Sequence, residues 1–275
     1  MEKFPQWSDR LTAIDLKTFA LILLVLANSF IMVGWLTYTP PGLLGKADAA
    51  GYAVCHRIAS RSFWIGDRQT PLCARCTGMF LGGLLGIIYL SRAGKRIVMP
   101  SRKVFIVLAL FLLAFGIDGG NSYLHLFPNA PGLYQPQNWL RLVTGTGVGL
   151  GIAAVLVPVF NQVVWSNLDN RSSLQGWSEL FRLLGLAAIM NLAVLSNNPL
   201  LLYPLALLSA FGIIIILTMV YTVVWLMITK QENRINKHQE LPFPAMAGFS
   251  TAMAQIILLD VARFWLTGTW AGFPF

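Results

Sequence analysis

Every cysteine of this 275-residue chain falls in one short stretch: Cys55, with His56 beside it, and a Cys73-x-x-Cys76 pair one loop later. Two chemistries need that spacing. The first is metal binding. Cys-x-x-Cys brings two thiolates to one centre and a return loop supplies the others. Cys55, His56, Cys73 and Cys76 then make a Cys₃His set suited to tetrahedral zinc. Adjacent residues seldom ligate the same ion, so His56 also reads as an outer support for the true ligands. The second chemistry is thiol redox. A Cys-x-x-Cys at a helix N-terminus has its thiolate stabilised by the helix dipole and, here, by Arg75. Cys55 is then the shuttle or resolving thiol, and a membrane quinone the electron partner. Pro71, just ahead of the pair, marks a helix start and puts Cys73 and Cys76 in the first turn. A plainer reading treats the cysteines as small apolar residues suited to a membrane core. Their clustering speaks against it.

Arg57, Arg61, Arg68 and Arg75 accompany the cysteines. A guanidinium facing lipid is costly, so Arg75 is expected to face protein, water or an anion. For Arg57 and Arg68 snorkelling to the head groups is the alternative. Asp118 and Arg141 lie further along, at the ends of two consecutive apolar runs, and make a natural ion pair. It reads either as a lock between the two runs or as chemistry. In the second case Asp118 is a proton acceptor or extra metal ligand, and Arg141 the holder of an anionic group.

What must position these residues is a membrane fold. Hydrophobic residues make up 56% of the chain and charged ones 11%, against roughly 25% charged in soluble domains. That excludes a disordered chain, a coiled coil, a disulfide scaffold and an ordinary soluble enzyme. Seven runs approach the roughly 20 apolar residues that a bilayer crossing needs. They are 19–36, 73–90, 104–126, 139–160, 180–196, 200–228 and 243–265. The sixth is long enough to hide a break at Pro204. The expected class is therefore all-α: a polytopic bundle of about seven spans in a single membrane domain, 1–275. The first span is read as an uncleaved helix and not a signal peptide, because its leader mixes the acids Glu2, Asp9 and Asp15 with bases.

The net charge of +9 belongs to this picture. The bases sit mostly between apolar runs, so the expected partner is the lipid bilayer and not nucleic acid. Arg92, Lys95, Arg96, Arg102 and Lys103 follow the second run, and Lys230, Arg234 and Lys237 follow the sixth. The connection 127–138 has no base. The positive-inside rule then puts the N-terminus in the cytoplasm, for a multi-pass protein of the plasma membrane. One loop breaches the rule. Segment 37–72 lands outside yet carries Lys46, Arg57, Arg61 and Arg68, which are expected to have another task. Loops of this length are usually functional or disordered.

The sequence around the cysteines resembles a family of predicted prokaryotic membrane proteins of unknown function. The resemblance rests on Cys55-His56, Arg61-Ser62-Phe63 and the unbroken run Pro71 to Gly78. It continues through Asp118-Gly119 and through Asn138, Arg141, Thr144 and Gly145, covering about 52–151. Where the family pattern has a Gln after Asp-Gly, this chain has Asn121-Ser122. The resemblance supports these as site residues: Asn138 is counted with Arg61 and Arg75 as a substrate-binding candidate, and Asp118 and Arg141 as the catalytic candidates. It brings no named reaction.

Packing signals agree. Gly78, Gly82 and Gly86 form a small-residue ridge in the second span, and Gly145, Gly147, Gly149 and Gly151 form two in the fourth. If these spans pack together, Cys73 and Cys76 approach Arg141. Asp260 and Arg263 have the spacing of a helix-face pair placed on the side of the site; Glu179 and Arg182 have the same spacing at the cytoplasmic end and read as a local interfacial pair. Asn28, Asn191 and Gln255 are candidate polar glue between helices, and Trp7, Trp35, Trp139, Trp177, Trp265 and Trp270 fit interfacial belts. No Walker loop, dinucleotide fingerprint or HExxH occurs.

Three readings stand. The leading one is a zinc site with an Arg/Asp-lined pocket for a small anion or lipid head group. The second is a quinone-coupled thiol oxidoreductase. The third is a transporter or membrane-complex subunit in which the cysteine cluster is only a staple.

Overall fold

The computed structural model describes residues 16–127 and 132–273. Trp7 and the leader's Glu2, Asp9 and Asp15 lie outside them. Among the described residues there are eight α-helices. They are α1 (Leu16–Tyr38), α2 (Leu43–Val54), α3 (Ala74–Ser91), α4 (Arg102–Leu124), α5 (Asn138–Val164), α6 (Trp177–Leu195), α7 (Pro199–Ile228) and α8 (Pro242–Thr267). All but α2 are long and apolar enough to cross a membrane. Each expected span matches one of these seven to within a few residues. Pro204 makes no break, since α7 runs on through it.

The seven long helices alternate in direction. The ends near Tyr38, Ala74, Leu124, Asn138, Leu195, Pro199 and Thr267 gather at one end of the bundle, called here the cysteine end. At the opposite end β3 (Arg96–Val98) and β4 (Asp169–Ser172) pair as a short parallel ladder. Arg96 reaches Glu179 there at 3.2 Å, and Glu179 also accepts the Gln175 N–H at 2.7 Å. Glu179 therefore bridges elements. The expected local pair with Arg182 is replaced by a longer-range one, because Arg96 is brought in by the β3–β4 ladder.

Helices α3 and α5 form the axis. Their contact is the most extensive in the molecule, and 61% of each apolar window is buried against 11% for α1. The glycine ridges explain the closeness. A Cβ on Gly78 or Gly82 would strike the α5 backbone at Leu142 or Thr146, and one on Gly145 or Gly149 would strike α3 at Arg75 or Met79. In lipid, where apolar side chains gain nothing by leaving solvent, this backbone approach supplies the dispersion energy that pairs helices. Gly149→Val is expected to destabilise the protein by more than the ~1–3 kcal/mol usual for overpacking, because backbone must yield. Gly151→Val, which faces open space, is the control. Thermal unfolding in detergent checks both; equal melting temperatures would contradict the packing account.

The long segment 37–72 is a folded cap. It consists of α2, a 3₁₀ turn at Ala59–Arg61, and an antiparallel hairpin of β1 (Ser62–Ile65) and β2 (Arg68–Cys73). Helix α2 is rich in Ala and Gly, and its buried face lies against α7, α8 and β2. Pro71 sits in β2, not in the first helical turn. Cys73 is the N-cap of α3 and only Cys76 is inside the helix.

Candidate metal centre and arginine cluster

Three elements bring the thiols together. Cys55 ends α2, Cys73 ends β2, and Cys76 lies in the first turn of α3. Their sulfurs all lie within 4.8 Å of one another, and all three cysteines are free. Tetrahedral zinc with Zn–S bonds of about 2.3 Å needs sulfurs roughly 3.8 Å apart, and the three sulfurs are gathered within about an ångström of that spacing or closer.

Backbone donors reinforce it. Cys55 Sγ accepts the Arg57 N–H at 3.4 Å and the Cys73 N–H at 3.3 Å. The first bond requires Arg57 in the left-handed region, at φ 53°. A non-glycine residue is held there only when its surroundings over-determine it. Here they do: the Arg57 guanidinium pairs with Asp48 at 2.9 Å and donates to the Trp270 carbonyl at 3.1 Å.

Cys55 and Cys73 differ in proton affinity. Hydrogen bonding from the Cys55 and then the Cys76 side chain holds Cys73 well below the ordinary thiol range. The bond to Cys73, followed by burial, pushes Cys55 up to about 12. Cys73 is therefore the thiol of the two that gives up its proton more readily, with its neighbours placed as donors to it. That is the charge pattern a cation replaces when it enters such a set.

His56 stands beside the group but is not one of the three clustered donors. Its Nδ1 accepts the Ile58 N–H at 3.3 Å. Burial lowers its proton affinity, opposed by the Cys73 charge, and Arg61, Arg75 and Arg141 lower it further. The imidazole is thus held neutral, with Nδ1 already occupied by the backbone.

Next to the sulfurs three guanidiniums converge on one residue, Ser122. Arg61 donates to its carbonyl at 2.8 Å. Arg75 donates to its hydroxyl at 3.1 Å, and Arg141 does so through Nε and Nη2 at 3.4 Å each. Asp118, 1% exposed, pairs with Arg75 and accepts the Tyr134 hydroxyl at 2.9 Å. The expected Asp118–Arg141 ion pair is therefore corrected. Arg75 takes the carboxylate, and Arg141 turns to Ser122 and to Asn138 Oδ1 at 2.7 Å. Asn138 in turn donates to the Ser60 and Ser62 carbonyls at 3.4 Å, tying α5 to the cap. Three cations meet one carboxylate here, and Arg75 Nε is buried without a partner. The cluster carries a local positive excess.

The cations of the cap have the other task expected of them. Lys46 holds the Thr39 carbonyl and hydroxyl, both at 2.9 Å. Arg57 and Arg68 share Asp48, Arg68 at 2.8 Å. Arg57 is buried, so it does not snorkel.

Several contributors were not singled out in the sequence. Asp48 and Ser122 carry no motif. Asn121 pins the following loop through the Leu133 N–H at 2.7 Å and the Tyr134 carbonyl at 2.8 Å. The tail after α8 folds back over Cys55. Tyr52 donates to the Thr269 carbonyl at 2.7 Å, and the Phe273 N–H donates to the His56 carbonyl at 3.0 Å. Arg263 does join the site, but through the carbonyls of Tyr52 (2.7 Å), Cys55 (2.5 Å) and His56 (3.3 Å) and not through Asp260. Its clue was a guanidinium in an apolar run.

A family profile described as predicted membrane protein (DUF2085) matches residues 55–155. An uncharacterized protein of Methanocaldococcus jannaschii is 29% identical over 114 residues, 41% of this chain and 67% of the relative. An uncharacterized protein of Methanothermobacter thermautotrophicus is 31% identical over 111 residues, 40% of this chain and 90% of the relative. No solved structure matches.

Proposed function

Because the chain belongs to the DUF2085 family of predicted membrane proteins, we propose that it works as a multi-pass protein of the plasma membrane whose extracytoplasmic face carries a zinc site. The N-terminus is then cytoplasmic, the orientation that the positive-inside rule favours. The thiolates of Cys55, Cys73 and Cys76 hold the ion. The single observation that carries this is the triangle of three free sulfurs within 4.8 Å, built from three separate elements. A redox pair needs two sulfurs; a third within the same 4.8 Å, with backbone donors on Cys55, fits a ligand set better. When bound, zinc supplies a positive charge and an acceptor position for an anion or water.

His56 supports the ligands or takes the fourth position. Arg61, Arg75 and Arg141, with Asn138 orienting Arg141, form the adjoining cationic pocket for a small anion such as phosphate or the phosphate of a lipid head group. Asp118 fixes Arg75 and leaves the other two guanidiniums with net charge to offer.

X-ray absorption at the zinc edge tests the centre. Three sulfurs and one lighter atom are expected; a shell without sulfur, or a disulfide with no metal bound, sinks it. The pocket is tested separately. Inorganic phosphate at 100 times its dissociation constant stabilises the protein by about 2.7 kcal/mol, and Arg61→Gln is expected to abolish most of that gain. An unchanged phosphate response in Arg61→Gln would contradict the pocket.

A further inference from the structure

Away from the cysteines, a groove of ≈ 900 Å³ runs between α1 and α8. Its walls are apolar and aromatic, with Phe30, Trp35, Ile257, Phe264 and Trp265 among them. One charged side chain lines it. Asp260 is 3% exposed, and neither of its carboxylate oxygens has a hydrogen-bond partner. Arg263, one turn on, gives Nη1 and Nη2 to the carbonyls of the cap, keeps Nε buried without a hydrogen bond among the described residues, and lies over the Tyr52 ring at 4.0 Å. The indole N–H of Trp35, on the opposite wall, is buried beside that carboxylate without closing a hydrogen bond to it. Buried polar groups are nearly always satisfied. An acceptor and a donor left open together, in one groove, point to a ligand.

Depth and wall chemistry define that ligand. Asp260 lies seven residues before the end of α8, about 10 Å down the helix at 1.5 Å per residue. A phosphate head group does not descend there, whereas a lipid-soluble molecule with a small polar head does. The free carboxylate demands a donor, and the aromatic walls favour a flat ring or an unsaturated chain. We propose that the α1–α8 groove binds a neutral, lipid-soluble molecule that presents a hydroxyl to Asp260, of the hydroquinone or prenol class. The site is independent of the metal reading and uses none of its residues.

The test uses the whole chain in detergent, with binding followed by thermophoresis. The probes are decylhydroquinone, its di-O-methyl ether and farnesol. At least one hydroxyl-bearing probe is expected to bind, and the ether, which has lost its donors, about ten-fold or more weakly than the hydroquinone if that is the ligand. Tighter binding of the hydroquinone assigns the ring class; tighter binding of farnesol assigns the prenol class, with farnesyl methyl ether then the weak comparator. Asp260→Leu is expected to reduce the hydroxyl probe to the affinity of its ether. Its melting temperature is expected to be no lower, since the change removes an unpartnered buried carboxylate. Equal affinity for the hydroxyl probe and its ether, undiminished binding in Asp260→Leu, or binding of neither probe would overturn the proposal. Should Asp260→Leu fail to fold, the comparison of hydroxyl and ether on the unaltered protein decides alone.

Discussion

Cys73→Ser is expected to lose the metal and loosen the cap in one step. Cys73 ends β2, caps α3, and gives its N–H to the sulfur of Cys55. It is also the residue whose thiolate the other two cysteines support. Outer-shell changes at metal sites typically cost ~10–100-fold in affinity; removal of a ligand itself should cost more than about 100-fold. Metal affinity from an unfolded reference is folding free energy, so the loss should spread to the cap. Amide exchange across residues 43–73 is expected to accelerate, while α4 and α6, which hold no ligand, keep their protection. Cys76→Ser is the informative contrast. Its sulfur sits in a helix whose own hydrogen bonds do not need the ion, so metal is lost with a smaller change in the cap. Full metal retention in Cys73→Ser would refute the assignment.

Asp118→Ala is expected to be the most damaging substitution outside the cysteines. The carboxylate is the direct partner of Arg75 and, among the described residues, the only acid hydrogen-bonded into the three-guanidinium cluster on Ser122. Breaking a buried ion pair by removing one partner costs about 3–5 kcal/mol, because the other charge stays buried and unpaired. Removing both is milder. The double variant Asp118→Ala/Arg75→Met should therefore recover part of the loss, and the coupling between the two sites should exceed about 1 kcal/mol. Thermal unfolding of the two single variants and the double variant gives that coupling. Additive effects would mean that Asp118 and Arg75 act independently, contrary to the geometry.

The spans were legible because a bilayer crossing imposes a length and a composition that no surface helix shares. The α3–α5 axis was legible for a related reason: Gly78, Gly82, Gly145 and Gly149 are spaced to line one face of each helix, and in lipid only small residues permit such an approach. The three cysteines were legible by their isolation in the chain. Pairing of charges was not. Asp118 had several arginines at its own end of the bundle, Arg61, Arg75 and Arg141 among them. The choice of Arg75 over Arg141 depends on how α4 leans against α3 and α5, which no spacing encodes. Glu179 was misassigned to Arg182 for the same reason, since its partner Arg96 arrives by a β-ladder of a few residues. The cap was hidden too. Its helix α2 is short and its hairpin strands are shorter, so segment 37–72 has no long period to read. Asp48, which gathers Arg57 and Arg68, becomes visible only once α2 and the hairpin are folded against each other.

The central claim is that three reduced thiolates hold one ion. Purification without chelators, followed by metal quantification and thiol counting before and after denaturation, tests it most directly. The account predicts one zinc ion per chain, with all three thiols reacting only once the protein is unfolded or the zinc is stripped. No metal, with two thiols silent until reductant is added, would contradict it and identify a disulfide in its place.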